Sequence, residues 1–185
     1  MSRKRKKPSG RKINPTLYVF CEGKTEESYI NLLKTTYRIP SVIIHSKIKG
    51  TEIDNRFIKQ YQEGRPEHPK DQTFLFYDLD VKDVLDKLVT ISNCTLLLSN
   101  PSVELWFLLH YKNQTAATDS KYCCKELEKR NKSYKKGLID NKLEDKLLTK
   151  RREATRKAKA LNAPHNPSTT VYILIELLDD LKSGQ

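Results

Sequence analysis

Four short apolar runs punctuate the first hundred residues: LYVFC at 17–21, SVIIHSKI at 41–48, TFLFYDLD at 73–80 and CTLLLSN at 94–100. Their Val, Ile, Phe, Tyr and Leu content suits β-strands. The first, third and fourth are apolar without alternation, as strands covered on both faces are. The stretches between them predict helices. Over 25–36, Tyr29, Leu32 and Leu33 recur at helical spacing and Thr25 stands as the N-cap. The pattern repeats over 51–62 and 82–90, with Val84, Leu85, Leu88 and Val89 on one face of the second. Alternating strand and helix predicts a parallel sheet joined by right-handed crossovers, so the fold class is α/β with four parallel strands flanked by helices.

Beyond the fourth strand, NPSVELWFLLHY predicts a helix opening at Pro101. From 120 to 183 only helices are expected. A long basic one covers roughly 140–162, and the last carries an apolar stripe through Val171, Leu174, Ile175 and Leu178 that is expected to pack inside the domain rather than dimerise. The chain thus divides into an N-terminal arm (1–14), an α/β core (15–115) and C-terminal helices packing on it (116–185).

Charge changes the picture next. The chain of 185 residues has a formal net charge of +12, which says little about fold but suits a polyanionic partner, nucleic acid being the commonest. The excess is uneven. Arg3, Lys4, Arg5, Lys6, Lys7, Arg11 and Lys12 make a basic arm that reads as disordered, and the stretch 125–159 holds 14 Lys/Arg against 6 Asp/Glu. The arm has no apolar core of a secretory signal, and no run is long enough to cross a bilayer, so a soluble, cytoplasmic protein is expected, without a membrane partner. Cys21, Cys94, Cys123 and Cys124 lack CxxC spacing, and the four histidines lack i, i+4 spacing, so no zinc site is expected. Cys21 and Cys94 read as small buried apolar groups, and the vicinal pair Cys123–Cys124 as oxidisable but without assigned function.

The acids are placed less casually. Ligands of open parallel sheets bind beyond the carboxyl ends of the strands. Glu22 follows the first strand, Asp78 and Asp80 end the third, and Glu104 falls in the first turn after the fourth. One topology therefore brings four carboxylates to one edge. Each like-charged pair at ~5 Å costs on the order of 3 kcal/mol at an effective dielectric of ~20. A hard divalent cation offsets this, and Mg²⁺ (or Mn²⁺) takes a few carboxylates while keeping waters. Lys24, Lys47 and Lys49 beside the cluster, with Arg151, Arg152 and Arg156 of the basic stretch, are candidates to hold a polyanion. Each acid alone has a plain reading, as a helix-dipole acid or a polar strand end; Glu26 and Glu27 read as surface acids, although Glu26 is within reach of the site.

The pieces VFCEGKTEESYI, FLFYDLDVKD, LLLSNPSVELWFLLHY and NPSTTVYILIELL, in order from residue 19 to 178, resemble the RloB-like family, TOPRIM-related proteins of prokaryotic defence and restriction–modification loci. SNPSVELWFLLH is the most specific of them. The resemblance implies a TOPRIM-like sheet, with Glu22 as general acid or base or metal assistant, Asp78 and Asp80 as the pair that holds Mg²⁺, and Glu104 as a further metal or positioning ligand. It also implies a nuclease that cuts RNA, tRNA included, or DNA in anti-phage defence, in some cases beside a partner ATPase. One departure is visible: a glycine-rich turn is expected after the second strand, and KIKGTEIDN offers only Gly50. Two other readings use the same residues. One is a nucleic-acid- or partner-binding module without turnover; the other, a phosphoacceptor receiver domain, fits the long basic tail poorly. The sequence leaves open the oligomeric state, a homodimer included.

Overall fold

The computed structural model describes residues 14–80 and 83–184; the basic arm, apart from Asn14, lies outside the described residues. Four parallel strands form as the apolar runs predict: β1 (Thr16–Cys21), β2 (Ile43–Ile48), β3 (Gln72–Asp78) and β4 (Thr95–Asn100). A fifth strand corrects the expected count. β5 (Ser168–Thr169) pairs antiparallel with β4, and the sheet order is β2-β1-β3-β4-β5. Its two residues are polar and give no apolar run. Side chains fasten it instead: Ser99 Oγ and Thr169 Oγ1 lie 2.9 Å apart, and Thr170 Oγ1 accepts the Leu98 N–H at 2.8 Å.

The helices are α1 (Lys24–Tyr37), α2 (Asn55–Gln62), α3 (Val84–Leu88), α4 (Val103–Leu109), α5 (Ser120–Arg130), α6 (Asn141–Thr149), α7 (Arg151–Lys159) and α8 (Tyr172–Ser183). Three expectations change. The long basic helix is two helices meeting at Lys150. The helix after β4 opens at Val103 rather than Pro101, behind a cis Asn100–Pro101 peptide. The cap of α1 is Gly23, not Thr25, and Glu26 Oε2 accepts the Gly23 N–H at 2.9 Å.

The pleat sorts the core into two layers. Leu17, Val19, Cys21, Phe74, Phe76 and Leu97 face one side, with α1 and α4; Leu127, Leu143, Leu147, Ala154, Ala158, Leu174 and Leu178 of the C-terminal helices belong to that same cluster. Tyr18, Phe20, Leu75, Tyr77 and Leu98 face the other, with Ile58 of α2 and Val84 and Leu88 of α3. α4 is buried all round, and Trp106 and Phe107 are wholly inaccessible. Truncating Phe107 to alanine there costs about 3–5 kcal/mol.

The register sets up the site. Cys21 is level with Ile48 on one side and Phe76 on the other, and Asp78 is level with Ser99. β1 is followed by β2 on one side, and β3 returns on the other side of β1. The topological switch point therefore lies between β1 and β3, the crevice where open α/β sheets take ligands.

Candidate functional site

Glu22 and Asp78 occupy that crevice. β1 ends at Cys21, and the Glu22 N–H still donates to Phe76 O at 3.0 Å, so the side chain of Glu22 leaves the sheet at its edge. Glu22 Oε2 accepts the backbone N–H of Asp78 at 3.0 Å. Asp78 Oδ1 accepts the N–H of Val103 at 2.8 Å, which ties the end of β3 to the start of α4. Among the described residues, nothing donates to Glu22 Oε1 or Asp78 Oδ2.

Glu104 is 1% exposed and faces inward. Its Oε2 accepts the Ser102 hydroxyl at 2.7 Å, and its Oε1 accepts the Tyr134 hydroxyl at 2.9 Å. The ammonium of Lys136 stands 3.6 Å from Oε1. Asp80, beyond the end of β3, accepts the Ser120 hydroxyl on Oδ2 at 3.1 Å. It does not share the Asp78 setting, because the strand ends before the two-residue alternation reaches it.

Glu26, expected on the surface, is buried at 4% exposure beside this cluster. Its place three residues after Gly23 is the signal that could have found it, since a glutamate at the third helical position reaches back to the cap. Tyr134 and Lys136 had no such signal. They arrive from the segment between α5 and α6, held on the start of α1 by two bonds. The Gly137 N–H donates to Thr25 Oγ1 at 3.0 Å, and Ser28 Oγ donates to Gly137 O at 2.8 Å.

The electrostatics follow from enclosure of like charges. Burial, then the charges of Glu26, Glu104 and Glu22, push the Asp78 carboxyl up to about 9. Burial raises Glu26 to about 7 against the hydrogen bond from Gly23, with Glu104 and Glu22 adding to the rise. Glu22 is raised as well, by burial first and then by Asp80, against the Asp78 N–H. Burial pulls the Lys136 ammonium down, but Glu104 and the more distant Asp78 and Asp80 outweigh it, so the net shift is upward. Burial also pushes the thiols of Cys123 and Cys124 up, to about 12 and about 11, so both stay protonated at neutral pH.

The donors suit a hard cation in kind, being oxygen only, and their raised proton affinity marks them as a set short of positive charge. Among the described residues, no group of three or more His, Cys, Asp or Glu is arranged to hold a metal ion. Glu22 and Asp78 are the two residues that would serve as protein donors to such an ion, with water making up the rest of the shell that Mg²⁺ prefers.

The basic candidates divide. Lys24 is exposed at the start of α1, with its stem against Gly137, and Lys47 is exposed on β2. Lys49 lies with its ammonium 4.7 Å from the Phe57 ring centre, and its N–H donates to Cys21 O at 3.1 Å. Arg151 is elsewhere: it pairs with Asp179 at 3.0 Å and stacks over Tyr37 at the far end of α1. Fourteen helical residues separate that end from the acids, roughly 20 Å of helix. Arg152 and Arg156 are exposed on the same α7.

Fold and site together define an α/β protein with a carboxylate cluster at its topological switch point. The chain belongs to the RloB-like family, whose model, described as RloB-like protein, matches residues 17–178. No curated protein and no solved structure matches the chain. No helix among the described residues is long and apolar enough to cross a membrane.

Proposed function

We propose that this protein is a metal-dependent nuclease, a hydrolase of phosphodiester bonds in RNA, tRNA included, or in DNA, acting in the cytoplasm as an effector of prokaryotic anti-phage defence. The observation that carries the reading is the convergence of Glu22, Asp78 and Glu26 at the switch point, with proton affinities raised by burial and by one another. Membership of the RloB-like family and the TOPRIM-like order of acids support the defence setting and a partner ATPase.

Glu22 and Asp78, with Asp80 at the rim, would hold Mg²⁺ or Mn²⁺. When bound, such an ion polarises a phosphoryl oxygen and acidifies a water. The protein's own groups do the rest. The backbone bonds from Asp78 and Val103 fix one oxygen each of Glu22 and Asp78, leaving the other oxygen directed by the sheet. Glu26, at about 7, is matched to give and take a proton near neutral pH. Lys136 stands beside the acids, and Lys24 and Lys49 follow β1 and β2 at the same end of the sheet, a balance that favours a polyanion over a neutral ligand.

The test is cleavage of total RNA and of plasmid DNA by the purified chain with Mg²⁺, Mn²⁺ or EDTA, beside Asp78→Ala. Metal-dependent cutting that the variant loses is the expected result. A second reading, a binding module without turnover, is favoured by one observation: both oxygens of Glu104 are already taken by protein groups, leaving fewer acids for a metal. Under that reading Asp78→Ala binds nucleic acid as tightly as the wild type, and neither protein cuts.

A further inference from the structure

The ion pairs of the C-terminal half are of two kinds. In four of them a cation meets an acid that is itself about two-fifths exposed: Lys150 and Lys157 with Glu153, Arg151 with Asp179, Lys159 with Glu176. These are surface pairs and neutralise each other. Two acids are nearly closed off instead: Glu126, 10% exposed, is shared by Lys112, Lys129 and Arg130, whereas Glu104, 1% exposed, meets among the described residues one cation, Lys136, whose side chain is 59% exposed. At 3.6 Å the contact is an attraction rather than a hydrogen bond, so the three ammonium protons remain available to something outside the protein.

The backbone holds Lys136 in that position. Lys135, Lys136, Gly137 and Leu138 form a turn closed by the Leu138 N–H on Lys135 O at 3.1 Å, with Gly137 at φ 78. That is the position of a type II turn that calls for glycine. Lys136 is its outward corner. The turn is fixed to α1 through Thr25 and Ser28, and Tyr134, one residue before it, donates to the same Glu104 oxygen that attracts Lys136.

We infer that Lys136 contacts a non-bridging oxygen of the substrate's phosphodiester, and that Glu104 and Tyr134 are positioning residues that hold it over the acid cluster. The inference rests on the reading of the site as one for nucleic acid. It gives Glu104 a role its closed set of partners explains. It also supplies what Glu22 and Asp78 cannot: a fixed cation from the protein for the charge that gathers on the phosphoryl oxygens.

The experiment has a binding arm and a cleavage arm. In EDTA, the affinity of a labelled single-stranded RNA for the full chain is measured against salt concentration, for wild type, Lys136→Ala, Lys136→Arg and, as a control, the exposed Lys132→Ala. Loss of one phosphate contact lowers the salt slope by about 0.7. Lys136→Ala is expected to show that drop, and Lys136→Arg to keep the wild-type slope. In Mg²⁺, Lys136→Ala is expected to lose roughly 100-fold in kcat, with KM moving far less, and Lys136→Arg to recover part of it. An unchanged slope in Lys136→Ala, or an equal drop in Lys132→Ala, overturns the inference. Cleavage by Lys136→Ala at the wild-type rate overturns it too, while leaving the nuclease reading intact. If the wild type cuts nothing, the nuclease reading fails and the binding arm alone decides on Lys136.

Discussion

Glu22 Oε2 accepts the backbone N–H of Asp78, so the acid that ends one central strand stands in for the backbone acceptor its neighbour would otherwise lack. Structure and chemistry are therefore separable at this residue. Glu22→Gln keeps an oxygen for the Asp78 N–H and should stay within about 0.5 kcal/mol of the wild type. Glu22→Ala leaves that N–H without its partner and should lose about 1–2 kcal/mol in urea unfolding. Both should abolish metal-dependent cleavage.

Stability should depend on pH in an unusual direction. Asp78 titrates at about 9 and Glu26 at about 7 in the folded protein, both above the unfolded values near 4. The folded state thus holds more protons than the unfolded chain between those limits, and stability falls as pH rises through them. In EDTA, Tm should decline from pH 6 to pH 9, and Asp78→Asn, whose amide oxygen can still accept from Val103, should flatten the decline. Mg²⁺ should bind more tightly as pH rises, because it displaces protons. Thermal scans at four pH values, with and without Mg²⁺, check both signs.

Gly137 is constrained twice. Its φ of 78 suits glycine, and a Cβ there would lie 3.0 Å from Lys24 Cγ and 3.3 Å from Lys24 Cβ. Gly137→Ala should cost about 1 kcal/mol or more of stability. It should also slow cleavage by more than the stability loss explains, because Tyr134 and Lys136 move with the turn. Comparing kcat at 15 °C, where the variant is fully folded, separates the two effects.

Arginines adjacent in sequence should behave differently. Arg151→Ala removes the Asp179 pair and the stacking on Tyr37, so it should lower Tm by several degrees and leave the salt slope of RNA binding unchanged. Arg152→Ala should leave Tm unchanged, as exposed substitutions do. If α7 forms part of the nucleic-acid surface, Arg152→Ala and Arg156→Ala each reduce the salt slope. Thermal unfolding and the titration used for Lys136 check this.

β1, β3 and β4 are legible because burial on both faces writes them as unbroken apolar runs; β2, a half-exposed border strand, shows only through its Val and Ile content. β5 is not legible, since Ser168 and Thr169 pair through hydroxyls and a return of the chain from 70 residues away. The break at Lys150 was equally silent. Leu143, Leu147, Ala154 and Ala158 keep helical spacing across it, so only the packing reveals two helices. In the site, Glu22 and Asp78 followed from strand order alone. Glu26 reads as a surface acid within reach of the site and Thr25 as the cap; in the structure Glu26 is buried on the Gly23 cap, and Thr25 receives the Gly137 N–H from 112 residues along the chain. Tyr134 and Lys136 owe their place to that same contact, which leaves no local pattern.

The coverage of β4 has a consequence for assembly. Thr170 bonds Leu98 through N–H and hydroxyl and Leu96 through its hydroxyl, and β5 takes the end of the strand, so that side of the sheet has little left to offer a newcomer. On the opposite side β2 is the border strand of the described residues, and Ile43 and Ile48 are exposed there with Lys47 between them. Among the described residues no strand lies beyond β2, so its outer backbone groups stand open to a second strand, and a copy of β2 paired there antiparallel would close about a two-fold axis.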